Sequence, residues 1–282
     1  MIDLHTHTHY SDGTFSPAEL IAEAERVGLA AVALCDHNTV RGLDEFLAAA
    51  QNSGVEAIPG VELSADYLAS NGRTIELHIV SLFIRPEYYQ EIQAMVLPMA
   101  DDKEKSNLDL IATLQQHGFD ITYEEVCATA CGNVNRAHIA AVLTEKGYTP
   151  SIQEAFQTVL SASKGFYRPP KRLPIFETLE YIRSIGAVPI LAHPFLALDE
   201  AELRIFLKSA CAHGLVGMET LYSTYDEQTT SLSRAIAAEY GLCESGGSDF
   251  HGGRKPHIAL GTGKGNLSVP CEFLEKLKEF AR

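Results

Sequence analysis

The chain has 282 residues, 46% of them apolar and 21% charged, which is enough apolar surface for a large core and argues against extended disorder. Its formal net charge is −15, which opposes nonspecific binding to long duplex nucleic acid or to a membrane surface. A small anionic substrate stays open, because a bound divalent cation reverses the local field.

No stretch approaches the ~20 apolar residues of a membrane span. The first residues carry no basic, apolar leader pattern. The six cysteines form no C-x-x-C, and several sit in apolar runs as small core residues, so a reduced cytoplasm is the expected setting.

Residues 2–5 read as a short buried strand. Ser16-Pro17-Ala18-Glu19 is a capping box with proline at the first helical position. Leu20, Ala24 and Val27 continue an apolar stripe from it, and Gly28 ends the helix. Residues 30–34 form an unbroken apolar run of strand length. A helix over roughly 42–52 and a strand over 55–61 follow. This β-α-β-α-β order implies a parallel sheet covered by helices.

Residues 73–83 are strand-like. Residues 87–162 read as mostly helical, with turn signals near Gly118, Gly132 and Gly147. The α/β rhythm returns with helix 175–185, strand 187–192, helix 200–213, strand 216–219, helix 227–240 and strand 242–246. A last helix covers about 270–281. The order predicts a barrel-like α/β core built from residues 1–99 and 166–282, with 100–165 as a helical insertion that would form a lid over the active site.

Candidate metal ligands collect at the predicted strand ends. His5 and His7 close the first strand and Asp12 follows in the loop. Asp36-His37 closes the second and Glu62 the third. His78 lies in the fourth, His193 follows strand 187–192, and Asp249 and His251 follow strand 242–246. In a barrel of βα units these ends share one face, so residues distant in sequence meet there. Alternation puts His5 and His7 on the same side of the backbone. A lone H-x-H is expected about 0.4 times by chance in a chain with eleven His. The case rests on nine such residues in register with the strands.

The segments Asp3-Leu4-His5-Thr6-His7, Cys35-Asp36-His37-Asn38, Gly60-Val61-Glu62, Glu76-Leu77-His78, Ala192-His193-Pro194 and Gly247-Ser248-Asp249-Phe250-His251 resemble the ordered motifs of the PHP (polymerase and histidinol phosphatase) family. The resemblance runs from residue 3 to residue 251. It implies a distorted (β/α)7 barrel of the amidohydrolase-like kind, a site for two or three divalent metal ions, and phosphoester hydrolysis. Carried over position by position, it implies that His5, His7, Glu62 and Asp249 hold one ion. Glu62, His78 and His193 would hold a second, and Asp12, His37 and His251 a third. Imidazole mixed with carboxylate suits zinc, manganese or iron. Asp3 either orients a ligand or is a satisfied strand-end carboxylate.

Metal ions sharing a water would deliver hydroxide near neutral pH and stabilise charge on the phosphoryl oxygens. His193 or Asp249 would serve as catalytic proton shuttles, although both are also expected ligands. Arg136, His138, Lys164, Arg168 and Lys171 are the candidates for gripping substrate phosphate, the alternative for the basic run being a solvated turn. Ser106 and Asn107 could face the same substrate. Tyr222 either stacks a base or packs, and His257 near Lys255 could reach an anion. His117 and His213 sit before glycines at helix C-termini, where a cation is favoured on structural grounds alone.

Members of the resembled subgroup with such an insertion act on small nucleotides. They remove the 3′-phosphate of nucleoside 3′,5′-bisphosphates or trim short oligonucleotides from the 5′ end. The substrate expected is therefore a small phosphorylated one, a nucleotide or a short oligonucleotide. Histidinol-phosphate hydrolysis is the alternative within the same chemistry, and a non-catalytic metal-binding regulatory module the alternative outside it. Amide hydrolysis would want a carboxylated lysine where the fourth strand instead carries His78.

Overall fold

The computed structural model describes residues 1–129, 134 and 136–282. The expected turn at Gly132 and the thiol of Cys131 lie outside the described residues. The chain divides into two units. Met1–Val96 with Arg172–Arg282 forms the first, and Leu97–Lys171 the second.

The first unit is built on one sheet. Its strands are β1 (Ile2–Thr6), β2 (Ala31–Leu34), β3 (Glu56–Leu68), β4 (Thr74–Leu82), β5 (Leu173–Pro174), β6 (Val188–Leu191), β7 (Gly217–Tyr222) and β8 (Cys243–Gly247). The pairing order is β1-β2-β3-β4-β6-β7-β8, with the short β5 beside β3. Beyond β8, Thr6 bridges in parallel to Phe250, and the Asp249 and His7 amides donate to His5 and Phe250 carbonyls at 2.9 Å. These bonds nearly close the seven strands into a barrel.

Three of the helices of this unit open on a side-chain cap. Ser16 Oγ accepts from the Glu19 amide, and Glu19 returns to the Ser16 amide, opening α1 (Pro17–Arg26). After α2 (Leu43–Ala50), which has no side-chain cap, Asp199 and Asp226 cap the helices Glu200–Ala212 and Glu227–Glu239 by accepting from the Glu202 and Thr229 amides. The apolar interior joins Leu4, Ala33, Ile58, Val80, Val188 and Ile190 from five strands.

Two details depart from the sequence expectation. β4 pairs antiparallel with both neighbours, so the sheet is not parallel throughout. Its entry is a hairpin rather than a βα crossover. Gly72 at φ 78° turns the chain, and Asn71 accepts from the Arg73 amide. β3 also runs on to Leu68, because β4 gives its second half a partner. Glu62 therefore lies mid-strand, not at a strand end. Ser64 faces His78 across the pair.

In the second unit lie most of α3 (Tyr89–Gln116), with α4 (Tyr123–Thr129), α5 (Arg136–Glu145) and α6 (Ile152–Gln157). It has its own apolar cluster, including Leu110, Leu114, Val126, Ile139, Leu143 and Leu160. Gly118 and Gly147 supply the left-handed turns at φ 85° and 76°. The later helices of the first unit are α7 (Ile175–Ser184), α8 (Glu200–Ala212), α9 (Glu227–Glu239) and α10 (Cys271–Lys278). Among the described residues no helix is long and apolar enough to cross a membrane.

Candidate active site

The strands and loops of the first unit bring nine side chains together. Their donor atoms form four overlapping groups, each within 4.8 Å: His7, Asp12, His37 and His251; His5, His7 and Asp249; His5, Glu62 and His193; His37, Glu62 and His78. The sharing differs from the partition implied by the resemblance. His37 neighbours Glu62 and His78 as well as Asp12, and His7 belongs to the group around Asp12.

Glu62 is the centre. It is fully buried, and five imidazoles surround it. Its Oε2 lies 3.2 Å from His5, 3.3 Å from His7 and 2.8 Å from His37. Its Oε1 lies 2.8 Å from His78 and 3.1 Å from His193. Burial disfavours its charge, but the imidazoles, His37 and His5 foremost, outweigh that and hold its carboxyl well below the usual range. Burial likewise works against the charged form of His78, yet Glu62 and Glu76 beside it push its pKa up to about 10.

These contacts are not ordinary ion pairs. His5 Nε2, both ring nitrogens of His7 and Glu62 Oε2 are buried and make no hydrogen bond among the described residues. His7 Nε2 is 3.1 Å from Asp249 Oδ1 yet is not aligned to bond it. Buried polar atoms without partners are costly, and here several lone pairs converge on shared points. Nitrogen and carboxylate oxygen in this mixture, without sulfur, suit divalent ions such as zinc, manganese or iron. The residues present fit such ions.

The backbone around the cluster is under strain. Asn38, His193 and Asp249 take positive φ of 51°, 28° and 56°. For residues with a Cβ that costs on the order of 1–3 kcal/mol each, a cost that persists where surrounding bonds over-determine the turn. Those bonds are visible. Asp3 accepts from the Ser248 and Gly261 amides at 2.9 and 2.8 Å and from the Ser248 hydroxyl, tying β1 to the Asp249 turn. Asp3 is thus a satisfied structural carboxylate. Asp36 accepts from the Thr8 amide and from the hydroxyls of Thr8 and Ser11, ordering the loop that carries Asp12.

Glu219, in β7, is a functional candidate that sequence reasoning missed. It is 1% exposed. Its Oε1 lies 2.8 Å from His5 Nδ1, and its Oε2 accepts from the His193 amide at 2.7 Å. One buried carboxylate thereby fixes the ring of His5 and the strained backbone of His193. Its signal was weak, a single acid between Met218 and Thr220 in an apolar strand. Tyr222 and Lys255 are also here, both on Asp249 Oδ2, at 2.7 and 2.6 Å. Tyr222 packs within the site. His257 is exposed.

Close packing supports the geometry. A Cβ at Gly247 would collide with the Cβ of His5 and lie 2.6 Å from its backbone nitrogen. The obstacle is backbone, so β1 would have to move. Gly247→Ala is expected to cost about 1–3 kcal/mol, a fall in thermal midpoint on the order of 5 °C, with weakened metal binding. An unchanged midpoint by calorimetry would contradict this close approach.

The five expected phosphate-gripping residues all fall in the second unit. Arg136 sits 4.0 Å over the Tyr167 ring and 5.6 Å from that of Phe156. Arg168 is engaged bidentately by Asp102, at 2.9 and 3.1 Å, and the Lys171 amide donates to the same carboxylate. His138 is buried, and Lys164 is exposed in a short 3-10 turn. Ser106 donates to the Arg168 carbonyl and Asn107 to that of Val134, so both brace the unit's own chain. His117 and His213 each place Nδ1 2.8 Å from the carbonyl four residues back, Thr113 and Ser209.

The profile of the PHP domain family matches residues 3–167 of this chain. Over 250 residues the chain is 32% identical to a 5′-3′ exoribonuclease of Haemophilus influenzae, covering 88% of this chain and 89% of that protein. Over 254 residues it is 28% identical to a 3′,5′-nucleoside bisphosphate phosphatase of Chromobacterium violaceum, covering 89% of this chain and 87% of that one. A solved structure of an amidohydrolase from Chromobacterium violaceum, with bound sulfate and no metal, aligns with a TM-score of 0.82 at 25% identity. The alignment covers 100% of this chain and 97% of that chain.

Proposed function

The chain belongs to the PHP domain family and is a metal-dependent hydrolase of phosphate esters, and from that premise we propose that its substrate is a small nucleotide. The bond cleaved is a phosphate ester on the 3′-oxygen of a 5′-phosphorylated nucleoside. That one bond is common to a nucleoside 3′,5′-bisphosphate losing its 3′-phosphate and to a short RNA losing its first 5′-nucleotide. The two named relatives, a 5′-3′ exoribonuclease and a 3′,5′-nucleoside bisphosphate phosphatase, meet in this chemistry. The observation that carries the reading is the Glu62-centred cluster, with buried lone pairs of His5, His7 and Glu62 left unpaired.

In this reading His5, His7, Asp12, His37, Glu62, His78, His193, Asp249 and His251 hold two or three divalent ions, manganese, zinc or iron. Bound there, such ions supply Lewis acidity to a phosphoryl oxygen and lower the pKa of water. Glu62 presents its two oxygens to separate sets of imidazoles and would help to hold more than one ion. Of the two residues expected to move a proton, Asp249 has Oδ1 among the imidazoles and Oδ2 taken by Tyr222 and Lys255. His193 keeps a partly exposed ring, but its Nε2 faces Glu62 Oε1 at 3.1 Å as a would-be ligand atom, so it can protonate the leaving oxygen only where that nitrogen holds no ion. Arg136, His138, Lys164, Arg168 and Lys171 supply phosphate contacts. Arg168 must then share its charge with Asp102. Arg136→Ala is expected to raise KM about tenfold with little change in kcat, measured as initial rates over a substrate series. An unaltered KM would remove Arg136 from the substrate site. The reduced cytoplasm is the working compartment in this reading.

The test is phosphate or mononucleotide release in manganese from a panel. It contains nucleoside 3′,5′-bisphosphates, mononucleotides, 5′-phosphorylated di- to pentanucleotides and histidinol phosphate. Preference for substrates bearing both a 5′-phosphate and a 3′-phosphate ester is expected. Faster turnover of histidinol phosphate would overturn the nucleotide assignment.

A further inference from the structure

Asp249 is held unlike any other acid in the cluster. Its two carboxylate oxygens face different company. Oδ1 is turned towards imidazoles, 3.1 Å from His7 Nε2, 3.3 Å from His251 Nδ1 and 3.9 Å from His5 Nε2. Oδ2 receives two donors, the Tyr222 hydroxyl at 2.7 Å and the Lys255 ammonium at 2.6 Å. The residue is 6% exposed and sits at φ 56°, in the left-handed region.

Both donors are delivered by construction. Tyr222 ends β7, is 5% exposed, and packs its ring 5.2 Å from that of His193. Lys255 is six residues beyond Asp249. The turn Gly252–Arg254 folds it back, with Gly252 at φ 62° and the Lys255 amide donating to the Gly252 carbonyl at 3.2 Å. A Cβ on Gly252 would collide with Thr14 Oγ1 and approach the Phe15 ring at 2.9 Å, so the turn is closely packed as well as left-handed.

A carboxylate with both oxygens free can chelate one ion and occupy two of its coordination positions. A carboxylate whose outer oxygen is saturated by two donors offers one oxygen only. We propose that Tyr222 and Lys255 are positioning residues that clamp the outer oxygen of Asp249, restricting it to a single-oxygen ligand and keeping a coordination position open for the substrate phosphate. The proposal rests on Asp249 being a ligand. Hydrogen-bond partners of ligating side chains commonly change metal affinity by about 10–100-fold when removed. Catalytic metal sites are those that keep a position open.

The test uses cobalt(II) titrated into the metal-free full chain, followed by its visible absorption, with bound metal counted independently. Tyr222→Phe and Lys255→Met should each weaken one equivalent of cobalt about 10–100-fold. Each should also shift the absorption towards a higher coordination number, while the circular dichroism of the metal-free protein stays that of wild type. Lys255→Arg, which keeps the donor and the charge, should restore the wild-type spectrum. Wild-type affinity and spectrum in both Lys255→Met and Tyr222→Phe overturn the clamp. So does a Lys255→Met protein with unchanged metal binding and a raised KM, because Lys255 would then meet the substrate. Asp249→Ala separates the two levels. Loss of one equivalent there, with the clamp variants normal, leaves the metal reading standing without the clamp. Full binding in Asp249→Ala removes the ligand assignment itself. If Tyr222→Phe does not fold, Lys255→Met decides alone.

Discussion

Replacing Glu62 by Gln is expected to lower phosphate release on the order of 10³-fold or more at saturating manganese. The charge stabilisation lost is several kcal/mol, and each ~1.4 kcal/mol is a factor of ten. The size of the effect follows from position. Glu62 is a member of two of the four donor groups, and five imidazoles lie within 3.3 Å of its oxygens. An amide of the same shape removes the negative charge those imidazoles surround. It also turns an N–H towards one set of ring nitrogens. Metal content measured by elemental analysis should fall with the activity. A Glu62→Gln enzyme within tenfold of wild type would mean that the carboxylate is a structural partner of the histidines and not a metal ligand.

The second large effect is expected at Glu219, which is not itself among the donor atoms. Its two oxygens take His5 Nδ1 and the His193 amide, and the residue is closed to water at 1% exposure. Gln can keep an acceptor for one of these donors only. The other is left buried and unpaired, at a cost of about 1–3 kcal/mol. His5 is then free to rotate or change tautomer, and His193 loses a bond that holds its backbone at φ 28°. Metal affinity should drop about 10–100-fold, and kcat with it. Isothermal titration of the metal-free protein reads this directly. Unchanged affinity in Glu219→Gln would show that His5 and His193 keep their orientation without help.

Much of this architecture is legible in the order of the residues. The capping box at Ser16 and Glu19, the apolar runs and the glycine stops define alternating strands and helices because those signals are local. His5 and His7 become meaningful once seven further acids and histidines are found in register with strands, since strand ends of a barrel share a face. What escapes is set by contacts distant in sequence. Glu219 and His5 are 214 residues apart, and nothing near either announces the pair. Lys255 reads as one of two adjacent basic residues in a loop until the Gly252 turn brings it back to Asp249. Arg168 reads as a free cation, yet Asp102, 66 residues earlier, engages it. The antiparallel β4 is a different case. Asn71-Gly72 is a hairpin signal in plain view, and the prevailing βα rhythm masked it.

In the proposed function the nine converging side chains form a metal centre that hydrolyses a phosphate ester. The most direct test strips the protein with a chelator and adds manganese stepwise. Bound metal and phosphate released from a nucleoside 3′,5′-bisphosphate are measured on the same samples. The expected result is no release from the stripped protein, release that rises with bound metal, and saturation at about two to three equivalents per chain. Undiminished release from the stripped protein, or full metal binding with no release from any phosphate ester, would contradict it.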